Sequence, residues 1–198
     1  MSRAMVSPGW TVVIPVRPAG KSRLVVPGID RAGIARAIAL DTIEAASVVA
    51  AVRIVTTDAS LALPGTTLVQ EPEPRGIADA VRRGLVGVTG RRAVLLGDLP
   101  GLDPDDLAEA LRLADDLERS AVADADGTGT TLVAATAGHE LVPSFGADSW
   151  RRHVAAGFAP LDVPQASSVR RDVDLAEHLA GRLGPRTSAV LGRRTACV

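Results

Sequence analysis

Asp98 has the residue type and the position in the chain that a metal ligand requires. It follows Gly97 at the end of an apolar run at residues 93–96. Asp103, with Pro104 behind it, is suited to cap the next helix, which leaves Asp98 without that role. A carboxylate at a strand end can hold Mg²⁺ next to a substrate phosphate, whereas the alternative is a turn aspartate that bonds its own backbone. We predict that Asp98 is a metal ligand.

Asp172 and Asp174 form a second acidic pair further along the chain. Alternate residues of an extended segment point in opposite directions, so one carboxylate is expected to point inward and the other elsewhere. Asp174 has a second interpretation, because Glu177 follows three residues later and the spacing resembles a capping box. We rank Asp172 above Asp174 as a metal ligand and keep both in the predicted site.

The loop at residues 15–24 combines cations with glycine and proline after the first predicted strand. Lys21 and Arg23, together with backbone N–H groups, could hold a triphosphate, and Ser22 adds a hydroxyl. The loop lacks the G-x-x-x-x-G-K-S/T spacing of a Walker A motif. The alternative is a solvated basic turn, and the loop alone does not decide between the two.

Two glycine-bearing segments could bind a smaller anion. The segment at residues 127–130 interleaves glycines with threonines, which suits anion binding through backbone N–H groups and hydroxyls. A hairpin-like turn is the alternative there, since Asp126-Gly127 is a common turn pair. Phe145-Gly146 precedes a predicted helix at residues 149–156, whose N-terminus could face an anion.

The three histidines do not form a familiar catalytic or metal-binding set. The sequence contains no His-x-x-x-His pair and no evident Ser-His-Asp arrangement. We expect His139, His153 and His178 at the surface. The alternative for His153 is that it lines the same pocket as Ser149, one helical turn before it.

Strands and helices alternate along the chain, and this alternation predicts the frame that positions these residues. Predicted strands are residues 10–16, 51–57, 93–96, 121–123 and 131–135, and predicted helices are residues 31–49, 76–86, 103–119, 149–156 and 175–183. The pattern favours a single-domain, three-layer α/β/α fold at residues 1–192, with a mostly parallel, Rossmann-like sheet. Residues 193–198 are expected to form a loose tail. Ligands of such sheets gather at the carboxyl ends of the strands.

Composition argues against several classes of protein. The net charge is −1 and aromatic residues make up 2%, so neither a basic field nor stacking platforms for nucleic acid are expected. The lone cysteine, Cys197, cannot form an internal disulfide. Residues 1–9 lack the apolar stretch of a secretion signal, and no run of about 18 apolar residues suggests a membrane span. We expect a cytoplasmic protein that binds neither nucleic acid nor membranes.

Taken in order, these segments resemble the 2-phospho-L-lactate guanylyltransferase family, whose actinobacterial members are phosphoenolpyruvate guanylyltransferases. The wider group includes the molybdenum-cofactor guanylyltransferases. The matching motifs are individually short and together span nearly the whole chain: Ile14-Pro15-Val16, Lys21-Ser22-Arg23-Leu24, Gly97-Asp98-Leu99-Pro100, Gly127-Thr128-Gly129-Thr130, Phe145-Gly146 with Ser149, and Asp172-Val173-Asp174.

The resemblance implies a nucleotidyltransferase fold and a specific reaction. GMP would pass from GTP to phosphoenolpyruvate, with release of pyrophosphate, in the biosynthesis of coenzyme F-420. The partners would be GTP and a small phosphorylated acid, and the product would be handed to the next enzyme of the pathway.

The resemblance also implies a role for each matching residue. Asp98 and Asp172, joined by Asp174, would bind one or two Mg²⁺ ions at the catalytic centre. The acid would be held by Thr130, Gly146 and Ser149. Lys21 and Arg23 would offset charge on the phosphates. The positions on the nucleotide side are Pro15, Lys21, Ser22, Arg23, Gly76, Asp79 and Gly97.

The sequence departs from the family pattern in two places. Ala78 stands where the family usually has Asn, and the first loop is shortened and carries Arg17 where Lys is common. Three alternatives stay open. The acceptor could be 2-phospho-L-lactate or 3-phosphoglycerate, the enzyme could be another nucleotidyltransferase of the same fold, or the chain could be a non-catalytic nucleotide-binding homologue.

Overall fold

A seven-stranded sheet forms the centre of the fold, in the order β3-β2-β1-β4-β6-β5-β7. The structure, a computed structural model, describes residues 9–17 and 24–192. The strands are β1 (Trp10–Pro15), β2 (Ala51–Thr56), β3 (Thr67–Gln70), β4 (Arg91–Leu95), β5 (Arg119–Ala123), β6 (Thr130–Ala135) and β7 (Ala159–Pro160). The helices are α1 (Arg31–Ser47), α2 (Ile77–Leu85), α3 (Pro104–Ala114), α4 (Ser149–Ala155) and α5 (Pro185–Val190). Short 3₁₀ helices lie at Ala59–Leu61, Ser168–Arg170 and Ala176–Ala180.

Strand β6 runs against its neighbours, and this direction shapes the functional edge of the sheet. Strands β3, β2, β1 and β4 pair in parallel, whereas β6 is antiparallel to both β4 and β5. Leu95 at the end of β4 faces Leu132, and the amide of Leu96 donates to the carbonyl of Thr131 at 2.9 Å. The start of β6, at Thr130, therefore lies at the edge where the parallel strands end.

Both faces of the sheet are buried, as the alternation within β1 illustrates. Val12 and Ile14 pack into one apolar cluster with residues of α1 and α3, and Val13 packs into a second cluster with residues of α2. Trp150 of α4 packs against the second cluster as well. Because helices cover both faces of a largely parallel sheet, the predicted three-layer α/β/α class is confirmed.

Side-chain caps fix the beginnings of the two helices on the first face. Asp30 accepts hydrogen bonds from the amides of Ala32 (3.4 Å) and Gly33 (2.7 Å) at the start of α1. Asp103 accepts from the amide of Asp105 at 3.0 Å, with Pro104 in the first turn of α3. The predicted cap at Asp103 is confirmed, which frees Asp98 from that role.

Three details of the predicted secondary structure were wrong. The helix expected at residues 103–119 ends at Ala114, because Arg119 already starts β5. The short strands β3 and β7 were not predicted, since each has at most four residues and little alternation to detect. The helix expected at residues 175–183 is only a 3₁₀ helix at Ala176–Ala180.

Helix α5 follows that 3₁₀ helix and owes its position to a contact from far away in the chain. Pro185 stands at its first turn, where the missing N–H does no harm. The buried carboxylate of Asp41 in α1 accepts from the amides of Arg186 (3.1 Å) and Thr187 (2.8 Å). No helix in the described part of the chain is long and apolar enough to cross a membrane.

Candidate active site

Asp98, Asp172 and Asp174 meet at the carboxyl edge of the sheet. One carboxylate oxygen from each lies within 4.8 Å of the corresponding oxygens of the other two, and all three side chains are half-buried. Asp98 lies three residues after the end of β4, and the other two follow the 3₁₀ helix at Ser168–Arg170. Three carboxylates at this spacing form the oxygen-rich donor set that hard divalent cations prefer.

Backbone bonds and apolar packing hold the three aspartates together. The amide of Val173 donates to the carbonyl of Asp98 at 2.9 Å. On the other side of Asp98, the amide of Leu99 donates to the hydroxyl of Thr42 at 3.0 Å. Val173 is buried in an apolar cluster whose other buried members are Leu24, Ile34, Ile38 and Leu179.

The expectation that Asp172 and Asp174 point in opposite directions is wrong. Residues 171–174 do not form a strand, so the alternation rule does not apply to them. The capping box expected from Asp174 and Glu177 is also not the observed cap, because Leu175 is the N-cap of the following 3₁₀ helix and its side chain makes no capping hydrogen bond. Both aspartates therefore reach the same cluster as Asp98.

The aspartates lie between two cavities. The smaller, of about 180 Å³, is bounded by the end of β1, by α1 and by the turn after β4, and Asp98 and Asp174 line it. The larger, of about 450 Å³, has Asp172 on its wall. The cluster can therefore contact one ligand on each side.

The smaller cavity contains two of the residues predicted on the nucleotide side, Pro15 and Gly97. A Cβ at Gly97 would lie 2.9 Å from a methyl group of Val16, so the turn closes tightly against β1 only with glycine. Arg17 lines the same cavity and supplies a cation there. Lys21, Ser22 and Arg23 lie outside the described residues.

The other two predicted nucleotide-side residues lie at the beginning of α2. Gly76 is the N-cap and has a φ of 108°, which favours glycine. Asp79 is buried and paired with Arg82 and Arg83 of its own helix, and the hydrogen bond from Arg83 holds the pKa of the Asp79 carboxyl below its usual range. Its carboxylate is thus already engaged within α2.

Thr130, Gly146 and Ser149, predicted to hold the acid, are brought together by the start of β6 and by α4. Thr130 and Ser149 are both 2% exposed. The amide of Ser149 donates to the carbonyl of Gly146 at 3.1 Å, and Gly146 has a φ of 115°. Neither of the two cavities described above is lined by these three residues.

The loop that leads into Thr130 is a turn held by a single carboxylate. Asp124 accepts from the amides of Thr128 (3.0 Å) and Gly129 (2.7 Å). A Cβ at Gly129 would overlap that carboxylate, so glycine is required there. The loop connects the antiparallel strands β5 and β6, as the hairpin-like alternative for this segment predicted.

His153 contradicts the expectation of a surface histidine. It is 0% exposed, and its Nδ1 lies 2.9 Å from the hydroxyl of Thr130. Its Nε2 accepts from the amide of Ser144 at 2.8 Å. The alternative for His153, that it lines the same pocket as Ser149, comes closer to the observed position. The sequence feature that indicated this position was the spacing of the two residues, which lie one turn apart on the same helix face.

Comparison with solved structures defines the class of this fold. A nucleotidyl transferase from Methanothermobacter matches with a TM-score of 0.58 at 14% identity, covering 94% of this chain and 100% of that one. Rv0371c from Mycobacterium tuberculosis, solved in complex with manganese, matches with a TM-score of 0.57 at 23% identity, covering 86% and 95%. The fold is that of the nucleotidyltransferases.

Comparison of sequences narrows the class to a family. No family model matches the chain. The phosphoenolpyruvate guanylyltransferases of Streptomyces scabiei and Streptomyces coelicolor are each 41% identical to it, over 93% of this chain and 96% of theirs. The chain belongs to the phosphoenolpyruvate guanylyltransferase family, which confirms the resemblance seen in its motifs.

Proposed function

We propose that this protein transfers GMP from GTP to phosphoenolpyruvate and releases pyrophosphate. The observation that carries the proposal is the cluster of Asp98, Asp172 and Asp174 at the carboxyl edge of the sheet. The smaller of the two cavities beside it also contains Pro15 and Gly97, which are predicted on the nucleotide side. Relatives that bear the name of this activity align over nearly the whole chain, which supports the choice of substrates.

The three aspartates would hold a divalent cation, and we propose Mg²⁺, as one or two ions. Their oxygens fit such an ion because they are hard donors within 4.8 Å of one another. The manganese complex of Rv0371c supports a divalent ion in a protein of this fold. A bound cation would supply positive charge to the phosphate oxygens that approach and leave during the transfer.

The reaction requires no general base. An oxygen of the acid's phosphate attacks the α-phosphorus of GTP and forms a new P–O–P bond. The bond between the α-phosphorus and the bridging oxygen breaks, and pyrophosphate leaves with that electron pair. Since the attacking oxygen is already an anion at neutral pH, the protein has to position two polyanions rather than remove a proton.

The chain's own residues would divide that positioning between the two substrates. Arg17 lies at the smaller cavity, and Lys21 and Arg23 follow in the same loop, where cations offset charge on the departing pyrophosphate. Thr130, Ser149 and the amide of Gly146 would orient the acid. The setting we propose is coenzyme F-420 biosynthesis in the cytoplasm, with the product passed to the next enzyme.

Pyrophosphate release tests the proposal directly. GTP and Mg²⁺ would be offered with phosphoenolpyruvate, 2-phospho-L-lactate or 3-phosphoglycerate in separate assays, with ATP in place of GTP as the control for the base. Release with GTP and phosphoenolpyruvate alone is expected. Pyrophosphate release with another acid would show that this acid is the acceptor, and the protein would still be a guanylyltransferase.

Ala78 favours a second candidate, a homologue that binds the nucleotide without turnover. It is exposed at the second position of α2, where the family usually carries Asn. Calorimetric GTP binding without pyrophosphate release from any of the three acids would support this candidate. In that case an Ala78→Asn variant that gains turnover would assign the loss to this position.

A further inference from the structure

The imidazole of His153 connects the parts of the chain proposed to hold the acid. It lies on α4, four residues after Ser149, and its two nitrogens contact Thr130 at the start of β6 and Ser144 in the preceding loop. The rings of Phe145 and Phe158 pack edge-on against it, with centroids 5.4 Å and 5.2 Å away. The ring is therefore fixed in orientation as well as in position.

The partners of the ring determine which nitrogen carries the proton. The amide of Ser144 can only donate, so Nε2 must be unprotonated. Burial, reinforced by the positive charge of Arg152 and opposed by a hydrogen bond to the backbone of Ser149, lowers the pKa of His153 to about 4, so the ring is neutral at neutral pH. A neutral ring with a bare Nε2 has its proton on Nδ1, which donates to the hydroxyl of Thr130.

This hydrogen bond also determines whether the Thr130 hydroxyl can act as a hydrogen-bond donor toward other groups. Because the hydroxyl of Thr130 accepts from Nδ1, its own proton must point to a different acceptor. An anionic oxygen is the strongest partner for such a donor, since charge-assisted hydrogen bonds are shorter and stronger than neutral ones. A carboxylate or phosphate oxygen that reaches this hydroxyl would therefore meet a donor.

We propose that His153 is a positioning residue that orients the Thr130 hydroxyl as a donor to the acid substrate. The proposal rests on the proposed function, because it takes Thr130 as a contact of the acid. His153 itself is not placed to act as an acid or base, since both of its ring nitrogens are occupied within the protein.

Two substitutions of His153 test the hydrogen bonds of its two ring nitrogens separately. The side-chain amide of Asn can occupy the place of Nδ1, so His153→Asn keeps a donor to Thr130. The longer Gln can reach the place of Nε2, so His153→Gln keeps an acceptor for the amide of Ser144. We expect a KM for the acid within about threefold of wild type for the Asn variant and roughly tenfold higher for the Gln variant, with the KM for GTP unchanged in both.

A merely structural role would give a different result. Loss of packing would change both variants in proportion to their melting temperatures and would affect GTP and the acid alike, which would overturn the proposal. His139→Gln serves as the control, because His139 lies outside both cavities and outside the contacts of Thr130. This control is expected to leave both KM values unchanged.

The tautomer can be read without any substrate. Long-range ¹H–¹⁵N spectra of the resting protein should show the His153 ring protonated at Nδ1, and a ring protonated at Nε2 would overturn the proposal. Wild-type turnover is measured first, so failure of the proposed function appears as a lack of pyrophosphate release before variants are compared. Whether or not pyrophosphate is released, the observed tautomer tests whether Nδ1 of His153 donates to Thr130.

Discussion

The backbone amide of Val173 donates a hydrogen bond of 2.9 Å to the carbonyl oxygen of Asp98. This bond joins the turn after β4 to a segment that follows a 3₁₀ helix late in the chain, and it places the residues on both sides of Val173 next to Asp98. The side chain of Val173 is 2% exposed. Apolar packing therefore anchors the two aspartates that flank it.

Val173→Ala should weaken both the fold and the acidic cluster. Truncating a buried apolar side chain leaves a cavity, and we expect a loss of roughly 1–3 kcal/mol in the free energy of unfolding. Mn²⁺ binding, followed by electron paramagnetic resonance, should weaken because the flanking aspartates lose their anchor. Val142→Ala is the matched control, since Val142 is 63% exposed. Unchanged Mn²⁺ affinity in a destabilised variant would show that the anchor is unimportant to the ion.

Asp98→Asn, Asp172→Asn and Asp174→Asn should each reduce pyrophosphate release by at least about 100-fold while the protein stays folded. Each change removes one negative charge from a group whose oxygens lie within 4.8 Å of one another. Asp162→Asn, at an exposed position outside both cavities, should have no effect. A near-wild-type rate for Asp98→Asn would refute the metal assignment.

Asp124→Ala should loosen the turn that leads into Thr130. The variant leaves the amides of Thr128 and Gly129 without their acceptor, and we expect a loss of about 1–3 kcal/mol in stability together with a higher KM for the acid. Asp162→Ala, at an exposed position outside both cavities, provides the comparison. Equal effects of the two variants would argue against a specific role for Asp124.

Gly84→Ala should destabilise the packing of α2 on the sheet. A Cβ at this position would overlap the side chain of Val13 and lie 2.8 Å from a methyl group of Val55. Overpacking typically costs about 1–3 kcal/mol, which exceeds the gain of up to about 1 kcal/mol from alanine in a helix. Thermal unfolding should therefore shift downward, whereas Gly181→Ala, with open space around its Cβ, should stay near wild type.

His153 should make stability depend on pH. Its pKa is lowered to about 4 in the folded protein by burial and by Arg152, so the unfolded chain takes up the proton first as the pH falls. The stabilising contribution is complete above about pH 6.5, declines between about pH 6.5 and 4, and amounts to about 3 kcal/mol at most. Denaturant unfolding of wild type and His153→Asn across this range should show the difference shrinking as the pH falls. A constant difference would contradict the lowered pKa.

The sequence predicted well those features that depend on neighbouring residues. The apolar run of β1 and the Asp103-Pro104 start of α3 were recognisable because strand formation and capping are governed by a few adjacent side chains. Asp98 was singled out because Asp103 already caps the next helix, and Asp172 was ranked above Asp174 because Asp174 had a capping alternative. That these residues act on a metal is still a prediction.

Features that depend on distant partners were missed. Residues 175–183 form only a short 3₁₀ helix, and the unpredicted helix α5 after it begins where Asp41 of α1 accepts from the amides of Arg186 and Thr187. His153 was expected at the surface because its burial depends on Thr130 and Ser144, neither of which is a near neighbour in sequence.

By itself, then, the sequence determined the alternation of strands and helices, the three-layer class, the family and the residue types available for chemistry. The tertiary structure alone decided that β6 runs antiparallel, which brings Thr130 to the edge where β4 ends, and that Asp172 and Asp174 both face Asp98. Local periodicity specifies which residues are buried. The direction of a strand and the meeting of two segments depend on hydrogen bonds between residues far apart in the chain.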